Sequence, residues 1–95
     1  MKHGDLVKLR ILKAGVRLWH KDPSLVSARK IAPKVDLTPQ GVLYHFPNGL
    51  KNAVAMYAVE AGDSKVIVQL ILTGSKYVKN LTDQERRKHI KSISD

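Results

Sequence analysis

Four histidines, His3, His20, His45 and His89, are the side chains of this chain best equipped to hold a metal, and they lack metal-ligand spacing. There is no cysteine, which removes disulfides, thiolate chemistry and cysteine-ligated zinc. No serine or threonine stands in a recognisable pattern with a histidine and an acid, and no glycine-rich phosphate loop follows a strand. Asp83 and Glu85 are taken up by a helix-capping pattern. Catalysis, a cofactor and a metal are therefore not expected.

What remains is charge and hydrogen bonding. Lysine and arginine number 17 against 8 aspartates and glutamates, for a net charge of +9 and a pI near 10.1. Such an excess favours a polyanionic partner, with nucleic acid first and an anionic membrane surface second. No apolar run approaches the ~20 residues of a membrane span, and MKHGDLVK at the start is not a secretory signal. Export is not expected, and a cytoplasmic setting is.

The elements that position these side chains announce themselves through caps and breakers. From Asp5 to about His20, apolar residues at Leu9, Leu12, Val16 and Trp19, flanked by Ile11, Gly15 and Leu18, fall at helical spacing, with Asp5 as cap and Asp22-Pro23-Ser24 as stop. Ser27 caps a second helix, with Val26 before it and Ile31 four positions in as a hydrophobic staple. Pro33 keeps that helix short, and Asp36 suits a left-handed turn. Thr38 as N-cap and Pro39 at the first helical position start a third helix, which must end before Pro47.

Asn48 is the expected cap of a fourth helix whose inner face carries Leu50, Val54, Tyr57 and Ala61 up to Gly62. Asp63 caps a fifth segment with Val66, Ile67, Leu70 and Ile71 on one side. Its KVIVQLIL sequence has β propensity, but its length and neighbours favour helix. Thr82-Asp83-Gln84-Glu85 spells a capping box before a last helix with Ile90 and Ile93 to pack. The expected fold class is all-α: a helical bundle of five or six helices in a single domain. Residues 1–62 form the part that carries the two short helices, and 63–95 form a short helical extension for dimerisation or partner contact.

Two short helices joined by a tight turn, the second with a firmly capped start, form the geometry that sets a helix into a DNA major groove. The segments ILKAGVRLW, SARKIA, VDLT and VLYHFPN, in this order, resemble the DNA-binding domain of the TetR family of transcriptional repressors, over roughly Leu9 to Val54. The resemblance implies that Ser27 anchors a phosphate at the start of the second helix, with Arg29 and Lys30 as basic side chains beside it. It also makes Thr38, Pro39, Gln40 and Gly41 the exposed first turn of the reading helix.

Gln40 can donate to and accept from adenine together, and Arg29 can do the same with guanine. Tyr44 and His45 resemble the family's phosphate-contacting pair, although Tyr44 could equally cover the core edge. The family has glycine where Asp36 sits. It also has a lysine at the position of Gly49, so the phosphate role there passes to Lys51. The family's large C-terminal domain has no counterpart in the sequence after Leu50, and ligand-induced release from DNA is not expected. The basic run Arg86, Arg87, Lys88 and Lys91 reads as a solvated helix face that could also reach flanking phosphates.

The function these readings favour is sequence-specific, double-stranded DNA binding by a homodimer that regulates transcription as a repressor, in the nucleoid. Two rivals are an accessory or architectural DNA-binding protein of a phage or mobile element, and a helical adaptor whose C-terminal helices dock on a protein partner.

Overall fold

Apolar side chains on two sides of the first nineteen-residue helix, α1 (His3–Lys21), leave the sequence ambiguous about which side is buried. In the computed structural model, which describes residues 3–94, the buried side is Ile11, Ala14, Gly15, Leu18 and Trp19. Leu9, Leu12 and Val16 are only half-buried. Of the expected stripe only Trp19 is buried, and its expected flanks Ile11, Gly15 and Leu18, with Ala14, take the inner side. At Gly15 the bare backbone allows a close approach: a Cβ there would meet Val54 Cγ2 at 2.6 Å. Asp5 lies within the first turn and not at the cap.

Asp22 does end the region of α1, by accepting from Ser24 N–H at 2.9 Å and capping a 3-10 turn over Pro23–Leu25. The short helix α2 (Ala28–Ile31) starts where Ser27 Oγ accepts from Lys30 N–H at 3.2 Å. Pro33 has no amide to continue the ladder, and the chain tightens into a 3-10 turn over Ala32–Lys34. Helix α3 (Pro39–His45) follows, then α4 (Leu50–Glu60), α5 (Ser64–Leu72), a 3-10 turn at Lys76–Val78, and α6 (Asp83–Ser94). Among the described residues there is no strand, so the fold class is all-α.

The chain divides into two compact units, Met1–Val54 and Ala55–Asp95, and the division falls inside α4. In the first, α1 packs on α2 and α3, and Ile11, Ile31, Val42 and Val54 are fully buried. In the second, α5 packs on α6 and on the Lys76–Val78 turn, with Val66, Ile67 and Val78 buried to 2% exposure or less. Met1, Lys2 and Asp95, the outer ends of the two expected regions, lie outside the described residues.

Segment α5 is a helix despite its β-branched residues. Asp63 Oδ1 accepts from Val66 N–H at 3.2 Å to start it, and Gly74, at φ 68°, closes it with Ser75 N–H bonded to Leu70 O at 2.9 Å. Gly62, at φ 72°, ends α4 in the same way. The start of α4 differs from expectation. Gly49 O takes the first helical bond, from Ala53 N–H at 3.2 Å, so Gly49 and not Asn48 is the cap residue. The buried residues of α4 are Leu50, Val54, Ala55 and Ala58, while Tyr57 is half-buried and Ala61 is exposed. Small alanines therefore occupy the inner side where a tyrosine was expected.

The capping box of α6 forms in both directions: Thr82 Oγ1 accepts from Glu85 N–H at 3.1 Å and Glu85 Oε1 accepts from Thr82 N–H at 3.1 Å. The Thr82 amide and then its hydroxyl, both donating to the carboxylate, hold Glu85 below its ordinary value. A depressed folded value means that the stabilisation is present above the unfolded carboxylate range and is lost as pH falls through the folded value. Acidification below the ordinary glutamate range is therefore expected to fray the first turn of α6, seen as a lower protection of the Thr82 amide relative to its intrinsic exchange rate at the same pH. Glu85→Gln, which keeps a capping-box acceptor, should remove that pH dependence. An equal acid response in the variant would place the effect elsewhere.

Candidate nucleic-acid interface

The expected site residues lie on α2, α3 and the start of α4, all in the first unit except for the end of α4. The turn between α2 and α3 is fixed by the backbone. Asp36 takes φ 57°, the left-handed conformation expected of it, and Leu37 N–H bonds Ala32 O at 3.0 Å. Val35, buried at 6% exposure, anchors the turn to the interior.

Helix α3 then starts under two constraints. Thr38 Oγ1 accepts from Gly41 N–H at 3.0 Å, and Pro39 supplies a preset φ at a position whose amide has no helical partner. Val42 is its fully buried residue. With Val42 turned inward, Gln40, Leu43 and Tyr44 face outward on the opposite side. Tyr44 is 81% exposed and does not cover the core edge. His45 is half-buried, with its ring edge-on to Tyr44 at 5.4 Å between centroids.

Thr38, Pro39 and Gln40 are exposed and Gly41 is half-buried. Arg29 and Lys30 are exposed on α2, and Ser27 is half-buried with its hydroxyl engaged as the cap. Lys51 is exposed in the first turn of α4, where its ammonium sits over the Trp19 ring at 5.5 Å from the centroid. That cation–π contact holds the lysine by its tip.

Three features lie outside what the sequence reading singled out. Ser64 Oγ and His89 Nδ1 are 2.8 Å apart, joining the start of α5 to α6. A serine and a histidine are therefore paired after all, by residues far apart in sequence. Among the described residues, no carboxylate hydrogen-bonds the other ring nitrogen, and no three His, Asp or Glu side chains converge as metal ligands.

Arg86 is not part of a free solvated face. Its guanidinium donates to Val78 O at 3.0 Å and Leu81 O at 3.3 Å, tying α6 to the turn before it. Ile90 and Ile93, expected to pack, are 42% and 44% exposed. The third feature is a row of basic side chains along α1. Its only sequence signal is the spacing of Arg10, Lys13, Arg17 and Lys21.

No protein-family model matches the chain, and no curated protein or solved structure matches it. Among the described residues, no helix is long and apolar enough to cross a membrane.

Proposed function

We propose that this protein binds double-stranded DNA in a sequence-specific way and regulates transcription, as a homodimer that represses by occupying a promoter. The observation that carries the reading is the start of α3. It is capped by Thr38, preset by Pro39, held inward by Val42, and left open to solvent at Gln40. A rigid, outward-facing helix start is what a helix-turn-helix reader brings to base edges in the major groove. In the TetR-like reading, α2 and its cap supply Ser27, Arg29 and Lys30 at the backbone, with Tyr44 and His45 at the end of α3 and Lys51 in the first turn of α4.

One seven-residue helix reads few base pairs, and a dimer doubles the readout across two half-sites about one helical turn apart. In the second unit, Met56, Leu72, Ile90 and Ile93 are exposed apolar side chains suited to such a contact. The same exposure supports the adaptor reading as an alternative, in which these side chains meet another protein and DNA is not bound.

Selection of bound sites from random duplexes at physiological salt tests the proposal. A regulator prefers its site over random DNA by about 10³-fold or more, an architectural protein shows little preference, and an adaptor recovers no sites. Gln40→Ala is expected to cost about 1–3 kcal/mol at one base position and to relax preference there. Equal loss on every sequence would remove Gln40 from base reading.

A further inference from the structure

We propose that the groove between α1 and the Ala32–Lys34 turn is a second track for nucleic acid, taking a sugar–phosphate backbone away from the reading end of α3. Arg10, Lys13, Arg17 and Lys21 line one wall, at the three- and four-residue spacing that puts them on one side of a helix, and Lys34 lines the other. The groove has a volume of about 570 Å³. None of these five cations forms an ion pair or side-chain hydrogen bond with a described residue. Two acids border the row: Asp22 follows Lys21 and is engaged by Ser24, and Asp36 shares an adjoining hollow with Arg10.

Like charges four apart on a helix repel. Lys13, Arg17 and Lys21 are such a series, with no acid interleaved on their side, so the surface is built to be neutralised from outside. At 1.5 Å per residue the row spans about 16 Å. A sugar–phosphate strand following a trough of that length presents several phosphates to cations on both walls.

Shape selects among polyanions. A concave trough suits a linear chain of charges and not a flat membrane surface. Its floor is Ala14, Leu18 and Val35, each no more than 6% exposed, and offers little apolar area to an amphipathic acidic helix. The phosphodiester backbone is the partner these features favour.

The inference rests on DNA binding for its ligand but not on sequence reading by α3. The test uses the full chain and a triple variant, Lys13→Gln, Arg17→Gln and Lys34→Gln. Affinity for the selected site and for a random duplex is followed against salt, with far-UV circular dichroism confirming equal helicity. All three positions are exposed, so folding should be unchanged.

Each lost phosphate contact flattens the slope of log K against log salt by about 0.9. The variant should therefore bind both duplexes at least tenfold more weakly at low salt, with a slope reduced by two to three units and an unaltered ratio between them. Unchanged slopes with sequence preference intact overturn the groove alone, as does capture of poly-glutamate by the wild type but not the variant with duplex affinity unaltered. A reduced slope in a protein with no preferred sequence overturns the reading helix alone.

Discussion

Ile31→Ala is expected to destabilise the first unit by about 2–5 kcal/mol, the range for truncating a large aliphatic residue in a packed interior. Ile31 is the last residue of α2 and is fully buried, next to the tightened turn that carries Ala32 and Val35 into the core. Removing its side chain leaves a cavity, because α2 is only four residues long and is pinned by the Ser27 cap before it and the Asp36 turn after it. Neither end can slide to fill the space. Against a typical stability of about 5–15 kcal/mol, the loss is a large share.

Trp19 is the single tryptophan, and it is buried in the first unit. Urea denaturation followed by its fluorescence therefore reports this unit directly. The midpoint should fall substantially, and DNA affinity should fall on all sequences once the helix pair loosens. An unfolding free energy from this curve within about 1 kcal/mol of wild type would show that Ile31 does not hold the α2–α3 pair in place.

Gly15→Leu is the second large effect, and it acts by excess volume. A Cβ at this position meets Val54 Cγ2 at 2.6 Å and Cγ1 at 3.2 Å. Val54 is fully buried and β-branched, so it has little rotamer freedom with which to yield. Overpacking costs typically 1–3 kcal/mol, occasionally more. Leucine, with three further carbons to place, should reach about 3 kcal/mol at least.

Gly15→Ala should also be destabilising, although alanine is better than glycine in a helix by about 1 kcal/mol. Val54→Ala removes both clashing methyl groups and leaves only a 3.4 Å contact. The double variant Gly15→Ala, Val54→Ala should then be more stable than the sum of its single changes implies, by a coupling of about 1 kcal/mol or more measured in a double-mutant cycle. Simple additivity would mean that α1 and the start of α4 do not meet at this point.

Both predictions bear on the DNA-binding proposal through one chain of cause. Gly15 sets how α1 sits on Val54, and Ile31 fixes α2 against the interior. Val42 then holds α3 by one buried side chain while Gln40 stays outside. A reading helix this short has no stability of its own, since isolated helices of fewer than about 12 residues are marginal in water. Its orientation comes from the packing behind it.

Sequence alone settled the features that local chemistry controls. Ser27, Thr38, Asp63 and the Thr82–Glu85 pair cap the helices they were expected to cap, because a side-chain oxygen reaches an amide two or three residues on whatever the rest of the chain does. Pro33 and Asp36 shaped the turn for the same reason. Asp5 and Asn48 are the exceptions: Asp5 lies inside the first turn of α1, and Gly49, at φ 123°, takes a backbone conformation that side-chain-bearing residues rarely adopt, so α4 starts one residue later.

Tertiary structure alone decided which side of α1 is buried, and with it where the basic residues lie. Leu9, Leu12, Val16 and Trp19 were the expected stripe, yet of these only Trp19 is buried, while Ile11, Gly15 and Leu18 face the interior, with Gly15 against Val54. That choice puts Arg10, Lys13, Arg17 and Lys21 beside Lys34 as the two walls of one groove. Likewise Ser64 met His89, and Arg86 met the carbonyls of Val78 and Leu81, through the packing of α5, α6 and the turn between them. Contacts between residues distant in sequence depend on how whole faces fit, and no local pattern of residue types encodes that fit.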